Sequence, residues 1–179
     1  MKLPGTDIEC KQLGRAEAEA MLGGIFAGGG LVLSQIAALT GMELYSVQNW
    51  VRRGFVSSPV RKKYSPRQFC RLVIINMLKD SMSIGEITGL LTYINGDLSD
   101  EGDDMVCDDL IYLGFTDLIS VTQSEDEDAV KEAAEKVAAE ITDGEAEKRL
   151  GEVLTVMYFA YRASLLVKKN GELMHKYIK

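Results

Sequence analysis

Between Leu33 and Tyr64 the chain places two short segments of helical periodicity on either side of a single glycine, and follows them directly with a cationic stretch. In the second segment, at about 100° per residue, Leu44, Val47, Trp50 and Val51 share one arc while Tyr45, Gln48, Asn49 and Arg52 share the opposite one. One face is expected to pack and the other to present polar side chains. The first segment reads as a helix capped by Ser34, with Ile36, Ala37 and Leu39 inward and Gly41 supplying the left-handed stop. After Gly54, Phe55-Val56 is β-prone and Ser57-Ser58-Pro59 has turn chemistry, so Val60 to Tyr64 is expected to return as the second strand of a basic wing.

Charge separates this region from the rest. The chain carries a formal net charge of -7, yet residues 44 to 79 hold eight Lys or Arg and no Asp or Glu. Residues 97 to 152 reverse the balance, with nineteen Asp and Glu against four Lys and Arg. A one-signed block against an acidic background implies an anionic partner. Duplex DNA fits the side chains on offer, because Gln48 and Asn49 can pair with adenine, Arg52 with guanine, and Tyr45 can meet a phosphate or a thymine methyl. Arg53, Arg61, Lys62, Lys63 and Tyr64 are suited to phosphate contacts beside the groove.

Elsewhere the pattern is helical. The amino end to about Leu22 has a weak apolar stripe, interrupted by Gly23-Gly24 and Gly28-Gly29-Gly30, which read as a flexible linker. No Gly-Lys-Ser or Gly-Lys-Thr follows those glycines, so they do not spell a phosphate loop. Ser65-Pro66 opens a helix to about Lys79, and the capping-box spacing of Ser83 and Glu86 opens another that stops at Asn95-Gly96. Setting Gly102 at the sixth place of a calcium loop puts Asp97, Ser99, Glu101 and Asp108 near ligand positions, but Asp104 occupies the apolar place and Asp108 replaces the bidentate Glu. These acids are instead expected to solvate a linker and favour the start of the next helix. That helix is expected near Met105 to Ser120, broken at Gly114; a further one is capped at Ser124 and ends at Asp143-Gly144. The last runs from Glu145 to about Lys169 and ends at Asn170-Gly171; its apolar arc is wide enough to be a central helix, a dimer interface, or both.

Ile36-Ala37, Thr40-Gly41, the run Val47 to Gly54, Lys63-Tyr64-Ser65, Arg71-Leu72 and Ser83 to Ile87 together resemble a MerR-type winged helix-turn-helix. With Tyr93 to Gly96 and the acids after it, they resemble more narrowly the bacterial family called domain of unknown function 1836. The resemblance implies a mainly α fold, a winged helix-turn-helix with a short β-hairpin wing followed by a helical carboxyl lobe. It also implies DNA contacts from Tyr45, Gln48, Asn49, Arg52, Arg61, Lys62, Lys63 and Tyr64. No effector cysteine cluster follows the basic region, so metal sensing is not implied.

The expected organisation is an amino-terminal helix and glycine-rich linker over 1–30, a DNA-binding domain over 31–96, and an acidic all-helical lobe over 97–179 that dimerises or senses. The expected function is a cytoplasmic transcriptional regulator that binds double-stranded DNA as a homodimer, its half-sites roughly 34 Å apart. Three scattered cysteines fit a reducing compartment, and no uncharged run approaches the ~20 residues of a membrane span. Neither cofactor nor metal is expected, no catalytic residue stands out, and any small-molecule effector is unspecified. The competing reading keeps the fold but docks the basic face on an acidic protein partner, its own carboxyl lobe included.

Overall fold

Ser65 and Pro66 start the helix on which the rest of the protein is assembled. In the computed structural model, which describes residues 1–98, 100 and 102–178, the regular elements are α1 (Arg15–Phe26), α2 (Leu33–Thr40), α3 (Leu44–Arg52), α4 (Pro66–Leu78), α5 (Ile84–Asn95), α6 (Asp108–Val121), α7 (Glu127–Ala139) and α8 (Gly144–Tyr177). Ser99 and Glu101, two of the residues compared with a calcium loop, and Lys179 lie outside the described residues.

Proline at the first helical position lacks only an N–H that would be unpaired there, and Gln68 closes the cap in both directions. Its backbone N–H donates to Ser65 Oγ at 3.2 Å and its Oε1 accepts from Ser65 N at 2.8 Å. From Gln68 to Leu78 every residue of α4 is buried, the mark of a helix surrounded on all sides. Helices α5, α6 and α8 pack on it, α7 pairs with α8, and α1 rests on α6. One hydrophobic cluster runs through all of them, from Leu3 and Phe69 to Tyr112 and Leu154. Gly114 does not break α6 as its composition suggests. A Cβ there would lie 2.8 Å from Ile141 Cδ1, so the glycine lets the segment after α7 approach α6.

Several boundaries differ from the sequence expectation. Residues before Arg15 are not helical, because Pro4-Gly5 turns the chain, with Gly5 at φ 71 and Leu3 N donating to Ile8 O at 2.9 Å. A Cβ on Gly5 would sit 3.0 Å from the Val73 carbonyl, which fits this turn tightly over α4. Helix α1 runs through Gly23-Gly24, and Gly30 packs so closely on the Tyr64 backbone that a Cβ would come within 2.8 Å of its carbonyl oxygen. Helix α2 begins at Leu33, its entry secured by Gln35 Oε1 accepting from Val32 N at 2.9 Å, so Ser34 lies inside the first turn. Asp126, rather than Ser124, caps α7. Helix α8 continues through Asn170-Gly171 to Tyr177, the gain of helical hydrogen bonds outweighing about 1 kcal/mol of glycine penalty.

The β-hairpin wing is absent: the described residues contain no β-strand, only isolated bridges. Two causes are visible. The chain reverses at Arg61-Lys62 rather than at Ser57-Ser58-Pro59, and Lys63 N donates to Val60 O at 2.9 Å to close the turn. The intended turn residues are held elsewhere, since Gln68 Nε2 lies 2.9 Å from both Ser57 O and Ser57 Oγ and 3.1 Å from Ser58 O. With its first limb tied to α4, the basic segment has no strand to pair with.

Candidate nucleic-acid interface

Helix α3 divides into two faces much as its wheel implies. Val47 and Trp50 are buried and Val51 half-buried; Tyr45 is 69% exposed, Gln48 and Arg52 are exposed, and Asn49 is half-buried. Leu44 departs from this, standing 46% exposed because the first turn of α3 runs past the edge of the core. Arg52 Nη2 donates to Asn49 Oδ1 at 2.7 Å, so these two do not approach a ligand independently. The amide oxygen holds the guanidinium, which limits the rotamers that Arg52 must give up on binding.

Both ends of α3 are fixed by left-handed glycines. Gly41 (φ 67) stops α2 with its N–H on Ala37 O, and buried Met42 fills the turn into α3. At the other end Gly54 (φ 76) completes a Schellman motif, Phe55 N donating to Trp50 O and Gly54 N to Val51 O, both at 3.0 Å. Arg53, next to that stop, lies over the Phe55 ring at 4.5 Å from its centroid. The module is closed by a reciprocal pair, Leu31 N to Tyr64 O at 3.0 Å and Tyr64 N to Leu31 O at 2.7 Å, which ties the end of the basic turn to the start of α2.

Arg61, Lys62 and Lys63 are exposed on that turn, whereas Tyr64 is 4% exposed. Burial pushes the Tyr64 phenol above its ordinary value and its ring belongs to the core, so of the nine expected contact residues this is the one set inward. Arg61 and Lys62 adopt φ 51 and 64, two consecutive left-handed residues that carry side chains. Asn-Gly fits such a turn far better. Replacing Arg61 and Lys62 by Asn and Gly should relieve about 1–2 kcal/mol of backbone strain and return about half of it through glycine entropy, raising the urea midpoint by the equivalent of about 0.5–1 kcal/mol. An unchanged or lower midpoint would mean that the two cations stabilise the turn they strain.

The eight cations of the basic block do not all face outward. Arg71 is 2% exposed; its Nε donates to Asp108 Oδ1 at 2.9 Å, its Nη2 lies 2.9 Å from Asp108 Oδ2, and its Nη1 donates to the Leu98 carbonyl. Arg67, one turn earlier on α4, pairs with Asp104, whose side chain is 1% exposed and also lies 3.6 Å from Arg71 Nη2. Two of the acids expected to solvate a linker are therefore buried partners of α4. Burial raises the Asp108 carboxyl to about 6 against the pull of Arg71, and raises Asp104 in the same way. By contrast, none of Arg52, Arg53, Arg61, Lys62 and Lys63 forms an ion pair with a carboxylate among the described residues.

The buried cluster was missed in the sequence, although a signal was present. Arg67 and Arg71 stand four residues apart at the head of an apolar run, and Asp104 and Asp108 repeat that spacing. A cation inside a fully apolar helix requires a partner. Among the described residues no group of His, Cys, Asp or Glu is arranged to hold a metal ion.

Two short helices, α2 and α3, separated by a left-handed glycine and followed by a tight basic turn, are tied through Gln68 of α4 to a helical body. Residues 32–112 match the family model described as Domain of unknown function (DUF1836), a stretch that runs from the entry of α2 to Tyr112 and takes in both halves of the buried ion-pair cluster. No curated protein and no solved structure matches the chain.

Proposed function

We propose that the protein is a transcriptional regulator of the bacterial cytoplasm that binds duplex DNA as a homodimer. Exposed Tyr45, Gln48 and Arg52 with Asn49 meet base edges, and Arg53, Arg61, Lys62 and Lys63 meet phosphates. The observation that carries this reading is a polar, acid-free face on a helix anchored by Val47 and Trp50, beside five cations with no carboxylate partner among the described residues. A site for an acidic protein needs the cations but not an ordered Asn49–Arg52 pair. The order of parts is MerR-like, with a two-residue basic turn where that type has a hairpin. Reading a short helix against one half-site gives limited specificity, which a twofold pair remedies.

Helix α8 is long and apolar enough to cross a membrane by length and composition, but 44% of its most apolar stretch is buried inside the protein. That burial is against α6 and α7, which supports its assignment to the helical body. Selection from random duplexes at low salt tests the DNA reading. Enrichment of a two-fold symmetric motif is the expected result, and no enrichment, together with capture of acidic peptides, would replace DNA by a protein partner.

A further inference from the structure

The last buried residue of α8 is Ser164; from Leu165 to Ile178 every residue is exposed, with Lys168 Nζ reaching back to Asp80 Oδ2 at 3.8 Å. Their apolar content is high. Leu166 is 71% exposed, Val167 52%, Met174 52%, Tyr177 66% and Ile178 67%. With Leu173 these side chains leave an apolar surface that nothing covers among the described residues. A free helix of this length is marginal in water.

We propose that this half of α8 pairs with the same segment of a second copy as a parallel two-stranded coiled coil. The pairing deepens the homodimer of the preceding reading by placing its interface. Ala163, Leu166, Asn170, Leu173 and Tyr177 follow one another at intervals of three, four, three and four, the rhythm of a heptad seam with Leu at both d positions. Asn170 then falls on an a position, where a single buried Asn paired with its own counterpart fixes register and a two-stranded state at some cost in stability. Charge chooses the direction. Arg162, Lys169 and Lys176 occupy the three g positions, which face one another in an antiparallel pair and would bring like cations together, even with Glu125 3.4 Å from Arg162 and Glu172 3.4 Å from Lys169. In a parallel pair each g residue flanks an e position, and those are Val167 and Met174. Lys168, Glu172 and His175 lie on the side away from the seam, where Lys168 pairs with Asp80 at 3.8 Å and Glu172 with Lys169 at 3.4 Å.

The test uses the full chain. Light scattering at micromolar concentration should give twice the 19.7 kDa protomer mass, and Leu166→Glu with Leu173→Glu should give one protomer with the body's melting transition retained. In a Cys107→Ser background, Leu173→Cys should form a disulfide-linked dimer under mild oxidation, while Cys107→Ser alone, whose remaining Cys10 and Cys70 are buried, should not. In an antiparallel pair centred on Asn170 that cysteine would face a residue near 167 and stay unlinked. Asn170→Leu should raise the dissociation midpoint and broaden the mass distribution beyond a dimer. A monomeric natural chain, a dimer that survives the double Glu change, or an unlinked Leu173→Cys dimer would overturn the proposal. Flotation of a monomer with phosphatidylglycerol vesicles would reassign the face to an anionic bilayer surface. A linked dimer that enriches no duplex would retain the coiled coil and remove the DNA reading; a monomer that enriches a half-site would do the reverse.

Discussion

Asp108→Ala is expected to destabilise the protein by about 3–5 kcal/mol at pH 7, measured by urea unfolding, because it removes both of the oxygens that meet the buried Arg71 guanidinium, contacts that a neutral carboxyl or amide at this position retains in part. Both side chains are 2% exposed, so solvent screening offers little relief. Asp104, 3.6 Å from Arg71 Nη2 and already paired with Arg67, is a poor substitute. Removing both partners should cost much less. Arg71→Met with Asp108→Leu replaces the pair by apolar volume and should recover most of the loss, short by about 1–3 kcal/mol for the Leu98 carbonyl that loses its donor. A double change as damaging as the single one would mean that the ion pair holds α4 and α6 together in a way that apolar packing cannot replace.

The same carboxyl has a pH signature. Its folded value, about 6, exceeds the ordinary 3.8, so the folded state holds a proton that the unfolded state has released. The contribution is fully present below about pH 4 and is lost as pH rises through 6, on the order of 3 kcal/mol in all. Exposed Glu86, Glu132 and Glu145 work in the opposite sense, their values lowered by hydrogen bonds from Ser83, Lys136 and Arg149. The difference between the natural chain and Asp108→Asn isolates the buried group: the natural chain should lose ground to the variant between pH 4 and 7. A flat difference would place Asp108 at an ordinary value.

Where local chemistry decides, the sequence was readable. Ser65-Pro66, the Ser83–Glu86 box and Gly41 each fix an end by backbone geometry that involves only their neighbours, and the helices start or stop there. The errors lie where a distant residue decides. Ser57-Ser58-Pro59 had the better turn composition, yet Gln68, eleven residues beyond Ser57, holds it and the reversal falls on Arg61-Lys62. Gly23-Gly24 stay helical within a helix that packs on α6, and Gly114 stays helical where Ile141, twenty-seven residues later, packs against it. The face of α3 was legible because amphipathicity is local. That Arg67 and Arg71 turn inward, leaving fewer cations on the surface than the sequence offers, depends on acids more than thirty residues away.

Neutralising the basic turn should separate affinity from specificity. Arg61→Ala, Lys62→Ala and Lys63→Ala together should weaken binding to every duplex alike and lower the slope of log K against log salt by about 2.7, since each phosphate contact releases about 0.9 counter-ion. These residues have no ion pairs to lose among the described residues and sit outside the core, so the melting transition should hold. Gln48→Ala or Arg52→Ala should instead leave the slope nearly intact and relax preference at particular base pairs by about 1–3 kcal/mol each. Asn49→Ala gives a subtler result: freed from Asn49 Oδ1, Arg52 loses its preset orientation, so Asn49→Ala should also relax preference at the base pair read by Arg52. If all of these changes weaken every sequence equally, α3 supplies charge and not readout, and the polar face that motivated a DNA partner serves an anionic surface of another kind.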